Sequence, residues 1–250
     1  MRFTGRVGFI TGGAIGFGRA FARQLVREGA AVAVIDTNAG QAERTAQELR
    51  DAGGKAIAVR CDVSDEAQVA KAVAETAERV GLVDLLINNA ARHFTHFGQP
   101  FSKLSHAEIR EVFDVNVMGT VNCSLAVREP MVARGGGAIV NIASHAGHRV
   151  QTVYGVSKLA IRGLTAAFAD DFASSQIRVN AVSPGLMATE NALHEYSPEH
   201  FQESIDRHQL IKRQGTMSDV VSLVMFLASD EASFITGQTV LVNGGRDLYI

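Results

Sequence analysis

The chain has only two cysteines and four prolines in 250 residues, and no apolar run long enough to span a bilayer. Cys61 and Cys123 stand far apart and belong to no CxxC or Cys/His pattern, which excludes a disulfide framework and a zinc site. The 8 histidines form no recognisable ligand set, so no metal is expected. Charge of one sign is also missing. With a net charge of -2 and acidic and basic residues interspersed, the surface offers no footprint for nucleic acid or an anionic membrane. Met1-Arg2-Phe3-Thr4 runs straight into a short apolar segment with no signal-peptide character, so a reducing cytoplasm is the expected location. No Pro/Gly/Ser-rich linker, repeat or low-complexity tract divides the chain, and 46% hydrophobic residues suffice for one buried core. Residues 1–250 are therefore read as a single domain.

What is present is a regular alternation. Short β-branched runs at Arg6–Ile10, Ala31–Asp36, Lys55–Arg60, Asp84–Asn88, Gly137–Ala143, Arg178–Ser183 and Thr239–Val242 read as strands. Helical spacing marks Gly18–Glu28, Ala39–Ala52, Glu66–Val80, Ser105–Ala133, Val153–Ser174 and Met217–Leu227, with Ser64, Ser105 and Ser218 as leading caps. Strand-helix-strand alternation needs crossover connections. The expected fold is α/β: a Rossmann-type, doubly wound parallel sheet of about seven strands with helices on both faces. Pro184–Ser197 has no clear period and precedes a short helix at Pro198–Gln209; a loop of that length over a compact domain reads as a lid.

Thr11-Gly12-Gly13-Ala14-Ile15-Gly16-Phe17-Gly18 follows the first strand and opens the first helix. Glycines there allow a tight turn and close approach to a pyrophosphate, whose charge suits a helix N-terminus. Such loops also serve ordinary turns, and the position of Asp36 at the end of the second strand is what favours a dinucleotide. A carboxylate there accepts from ribose hydroxyls and repels a 2′-phosphate, and Thr37 and Asn38 bring no positive charge, so NAD is expected over NADP. Asp62-Val63 and Asn88-Asn89 end two further strands at the ligand-binding edge, although a helix cap and turn chemistry would explain them equally well.

Tyr154 and Lys158 stand at i and i+4 at the start of a helix and so share a face. The spacing is common by itself. Its weight comes from Ser144 at the end of the preceding strand and from Asn116, an unfavoured residue inside a long helix. Together with Asn180, Pro184-Gly185, Thr189, Thr236-Gly237-Gln238 and Gly244-Gly245, these motifs run through essentially the whole chain. In this order they resemble the short-chain dehydrogenase/reductase family in its small single-domain form.

The resemblance implies an oxidoreductase that moves hydride between NAD(H) and a secondary alcohol or ketone. By it, Tyr154 is the acid/base, Lys158 holds the nicotinamide ribose and depresses the tyrosine pKa, Ser144 binds the substrate oxygen, and Asn116 completes a proton relay. Gly12, Ile15, Gly16, Gly18, Asp36, Asp62, Val63, Asn89, Tyr154, Lys158 and Thr189 would bind the cofactor. A homotetramer assembled through Ser105–Ala133 and Val153–Ser174 is also implied. Three departures stand out: only ten positions from Ser144 to Tyr154, Ala91 for a frequent glycine, and Asn243 for a common aspartate. Substrate contacts are expected from Ser144, Tyr154, His145 and Arg149. Arg92, His93, His96, His148, Leu186 and Met187 are further candidates; the basic ones among them would either steer an anionic or polar substrate or, the reading favoured over it, stand as scattered polar residues of surface loops. A sugar, a 3-hydroxyacyl thioester or a cyclic alcohol would suit the same chemistry. A non-catalytic NAD sensor would be marked by loss of the tyrosine, lysine or serine, and all three are present.

Overall fold

A computed structural model describes residues 1–92, 94–189, 192–193 and 196–248. The strands are β1 (Val7–Thr11), β2 (Ala31–Asp36), β3 (Lys55–Arg60), β4 (Leu85–Asn88), β5 (Gly137–Ile142), β6 (Ile177–Pro184) and β7 (Thr239–Val242). They form one parallel sheet in the order β3-β2-β1-β4-β5-β6-β7. The described helices are α1 (Gly16–Arg27), α2 (Ala39–Asp51), α3 (Glu66–Arg79), α4 (Phe94–Phe97), α5 (His106–Phe113), α6 (Gly119–Ala126), α7 (Arg128–Ala133), α8 (Val153–Asp171), α9 (Pro198–His208) and α10 (Met217–Ala228). The doubly wound architecture expected from the alternation is the one observed.

Side-chain alternation sorts each strand between two cores. Ile10, Val32 and Val140 meet Phe21, Leu25, Val220 and Val224 of α1 and α10 on one face. Their neighbours Phe9, Ile35, Leu86 and Ile139 meet Val69, Cys123, Met131 and Phe168 of α3, α6, α7 and α8 on the other. Because both faces are covered, β1 and β4 are buried at every position and are apolar up to their last residues, Thr11 and Asn88. From β1 the chain winds outward to β3, then returns to lay β4 on the opposite side of β1. The loops leaving β1 and β4 therefore diverge and open a crevice at the carboxyl edge.

The expected helix over Ser105–Ala133 is interrupted. Its start holds, with Ser105 and Glu108 forming a capping box, but Asp114–Met118 widens into a π turn and Val127 separates α6 from α7. Pro130 accounts for the second break, because it has no N–H for the Ala126 carbonyl and its ring crowds that group. The caps of two other helices also differ from expectation. Asp65, not Ser64, accepts from the Gln68 N–H, and Thr216 with Asp219, not Ser218, begins α10. α8 stops at Asp171 and is followed by a 3-10 turn over Ala173–Ser175.

Candidate active site

The loop after β1 is shaped by three glycines with different tasks. Gly12 and Gly16 have φ of 59° and 54°, a left-handed region costly for other residues. A Cβ on Gly18 would collide with the Gly12 carbonyl oxygen, so only glycine lets α1 start this close to β1. A Cβ on Gly16 meets nothing within 4 Å, because that position faces the crevice. Asn89 fastens the loop from β4: its Nδ2 donates to the Thr11 and Gly12 carbonyls, both at 3.0 Å. Thr11 Oγ1 accepts from the Asn89 and Ala90 amides at 2.9 and 3.0 Å, a role that only the burial of Thr11 discloses.

These loops edge a cleft of about 720 Å³. Asp36 stands at one end, with Oδ2 accepting from the Ala14 amide and Oδ1 from the Asn38 amide, at 3.2 and 3.0 Å. Each oxygen keeps a lone pair for another donor. Asp62 Oδ1 accepts from the backbone and hydroxyl of Ser64, so the turn role considered for it is present, and both Asp62 and Val63 line the cleft. Gly12, Ile15, Gly16, Asn89 and Thr189 line it too, whereas Gly18 and Asn116 are buried beneath the wall. The described part of the expected lid contributes Leu186, Met187, Ala192 and Tyr196; the last was not anticipated, for want of any motif around it.

At the other end, Thr152 caps α8 by accepting from the Gly155 N–H. Tyr154 and Lys158 follow one turn apart, with the ammonium 5.6 Å from the phenol ring centroid. Lys158 is 3% exposed, and its Nζ donates to the Ile142 carbonyl at 2.7 Å. Burial lowers its pKa to about 8. Burial also pushes the Tyr154 phenol up to about 12, only partly opposed by a hydrogen bond with Ser144. In the protein alone the phenol therefore stands above its ordinary value, because burial disfavours the phenolate more than the hydrogen bond with Ser144 favours it.

Asn116 lies in the π turn and acts as a brace. Its Oδ1 accepts from the Arg92 amide at 2.7 Å, and its Nδ2 donates to Ser157 Oγ at 3.0 Å, while that hydroxyl donates to the Tyr154 carbonyl. The β4 loop and the first turn of α8 are tied together through this side chain.

The short segment after Ser144 folds as a 3-10 turn, His145–Gly147, flat on α8. A Cβ on Gly147 would lie 2.7 Å from the Lys158 backbone, so only glycine permits the approach. His145 lines the cleft beside Ser144, and its Nδ1 lies 3.3 Å from Asp247 Oδ2. Asn243 explains its departure from the family pattern by donating through Nδ2 to the same carboxylate, which an aspartate could not do. Of the two readings of the basic residues, the described ones fit scattered polar positions and do not assemble into a steering cluster. Arg149 is half exposed beside Asp247 and does not line the cleft, His148 bonds Ser183 Oγ, and His96 pairs with Glu108. Arg92 lines the cleft with its guanidinium held by Glu111, and His93 lies outside the described residues.

Residues 12–247 match the family model described as Enoyl-(Acyl carrier protein) reductase. Over 249 residues the chain is 41% identical to a protein of Bradyrhizobium diazoefficiens named "Probable short-chain type dehydrogenase/reductase", covering 98% of this chain and 88% of that protein. It is 36% identical over 259 residues to a sorbitol dehydrogenase of Cereibacter sphaeroides, covering 98% and 99%. The solved structure of a 7 alpha-hydroxysteroid dehydrogenase complexed with NADH and 7-oxo glycochenodeoxycholic acid is similar with a TM-score of 0.90 at 32% identity, covering 99% of this chain and 97% of that one. The chain belongs to the short-chain dehydrogenase/reductase family and is an oxidoreductase of that family. Among the described residues no helix is long and apolar enough to cross a membrane, and no group of three or more His, Cys, Asp or Glu is placed to hold a metal ion.

Proposed function

We propose that the protein transfers hydride between NAD(H) and a secondary alcohol or ketone, with Tyr154 as acid/base. The observation that carries this reading is a fully buried Lys158 one turn from Tyr154, in the same cleft as Ser144 and the glycine loop. The cleft suits a dinucleotide: Gly16 leaves open space at a helix N-terminus, Asp36 retains acceptor capacity for ribose hydroxyls, and Lys158 and Thr189 flank the far end. Asp36 next to Thr37 and Asn38 favours NAD, as a carboxylate without a neighbouring cation repels a 2′-phosphate.

The bound nicotinamide supplies the hydride acceptor or donor. The chain's own residues manage the oxygen and its proton. Ser144 hydrogen-bonds the reacting oxygen, and Tyr154 takes the proton in alcohol oxidation and returns it in carbonyl reduction. Bringing a phenol from about 12 to near 7 takes about 7 kcal/mol of preferential phenolate stabilisation. The Lys158 ammonium, 5.6 Å from the ring centroid, supplies part of that stabilisation. The remainder falls to Ser144 and to the positive charge that accompanies the oxidised cofactor. Full basicity of Tyr154 therefore belongs to the loaded site. Asn116 serves it by keeping the first turn of α8 in register with the β4 loop.

A spectrophotometric screen of secondary alcohols with NAD is expected to yield NADH; binding of NAD without NADH from any alcohol would instead identify a sensor. Efficient use of NADP by the wild type would contradict the role of Asp36. We also propose a homotetramer, supported by exposed apolar side chains at Met118, Leu125, Val132 and Leu159 on the helices expected to form the interface. A reducing compartment such as the cytoplasm fits the free thiols of Cys61 and Cys123.

A further inference from the structure

His145 directly follows Ser144, lines the same cleft and is 24% exposed. Its Nδ1 faces Asp247 Oδ2 at 3.3 Å, and Asp247, only 10% exposed, is fixed in turn by Asn243 Nδ2 at 3.2 Å and by Arg149 Nε at 3.9 Å. A carboxylate only accepts hydrogen bonds, so it selects the ring tautomer with hydrogen on Nδ1. Nε2 then carries a bare lone pair. Nε2 has no partner among the described residues and is not sealed from solvent. The same cleft is lined by apolar Ala146, Leu186 and Met187 and by polar Thr189 and Tyr196, and the His145 lone pair is an acceptor on its wall directly after Ser144 in the chain.

We infer that His145 is a specificity-determining residue: held by Asp247 as an Nε2 acceptor, it reads a second hydroxyl on the substrate, close to the carbon that reacts. The inference rests on the oxidoreductase reading above and names its substrate class as diols and polyols. A substrate carboxylate is disfavoured, because it would face a lone pair with Asp247 behind it. A cationic donor is disfavoured by Arg246 and Arg149. Burial, reinforced by Arg246 and to a lesser degree Arg149, lowers the His145 pKa against the pull of Asp247, so the ring is neutral at pH 7. His148, the other imidazole on this segment, also has its pKa lowered, mainly by burial and Arg162.

The test compares kcat/KM for cyclohexanol, cis- and trans-1,2-cyclohexanediol and 2-methoxycyclohexanol with NAD. Wild type is expected to favour a diol over both others by about tenfold, the worth of one neutral hydrogen bond at the upper end of its range. His145→Leu should bring the diol-to-cyclohexanol ratio close to one. Asp247→Asn donates to Nδ1, moves the ring hydrogen to Nε2, and should shift preference from the diol toward the methoxy compound, which accepts but cannot donate. A merely structural role for Asp247 would lower all rates together and leave these ratios fixed. Long-range 1H–15N spectra of the wild-type protein give a readout independent of turnover, with the His145 signal expected to show a protonated Nδ1 and a bare Nε2 at pH 7.5. NADH formed equally well from cyclohexanol and the diols, or a protonated Nε2, overturns the role of His145 while leaving the oxidoreductase reading intact. NADH from none of the four compounds or any other secondary alcohol overturns that reading and this inference with it.

Discussion

In the proposed mechanism Tyr154 releases a proton in surroundings that favour keeping it, and Lys158 stays charged where charge is expensive. Tyr154→Phe tests the first half: NADH formation should fall about 10³-fold, within the range of a lost acid/base group, while the melting temperature stays close to wild type. Lys158→Met tests the second. The shift from 10.5 to about 8 corresponds to roughly 3 kcal/mol of destabilisation by the buried ammonium, and losing the bond to the Ile142 carbonyl returns about 1. The variant should therefore be inactive yet about 2 kcal/mol more stable at pH 7 by denaturant unfolding. Below pH about 8 the wild-type penalty is complete; it fades between about 8 and 10.5, where the unfolded chain still binds the proton that the folded chain has lost, so the advantage of the variant should shrink across that window. Alcohol oxidation should rise with pH as the Tyr154–Lys158 pair deprotonates, and ketone reduction should fall. The identities of these residues are legible in the sequence, because their spacing and motif order are sequence properties. Their pKa directions are not, because desolvation depends on β5 and the turn at His145–Gly147 closing over α8.

Among the elements, the strands are legible to within a residue or two because each is a short run rich in β-branched and other apolar residues, most continuous where both faces are buried as in β1 and β2. The 105–133 segment is where periodicity misleads: apolar residues recur at helical spacing through it, and a π turn shifts the phase without breaking the pattern. Asn116 and Pro130 were the available signals, one a residue that helices disfavour and the other a residue that cannot donate. The glycine loop makes a sharper claim. Gly18→Ala should prevent folding, since its methyl group and the Gly12 carbonyl oxygen cannot share their space. Gly16→Ala should fold with a cost of about 1 kcal/mol for its left-handed backbone. Its methyl group projects into the cleft, so NADH binding measured by fluorescence should weaken far more than stability.

At the scale of the whole molecule, the proposed homotetramer would cover the exposed apolar side chains of α6, α7 and α8. Light scattering should give four times the 26.7 kDa chain mass, and Leu125→Glu with Leu159→Glu should give a smaller species. Strand order was not legible in the sequence, since alternation alone fixes a parallel sheet but not which strand lies beside β1. The π turn has a consequence at this scale. Val112 on α5 packs with Val153 and Tyr154 in a small cluster under the catalytic end, whereas Cys123 and Met131 on α6 and α7 face the sheet. The extra residue in Asp114–Met118 acts as an angular shim between them, turning everything downstream by about 100°. Deleting Val115 would straighten the helix, but it would force a choice between a seated tyrosine and a closed core.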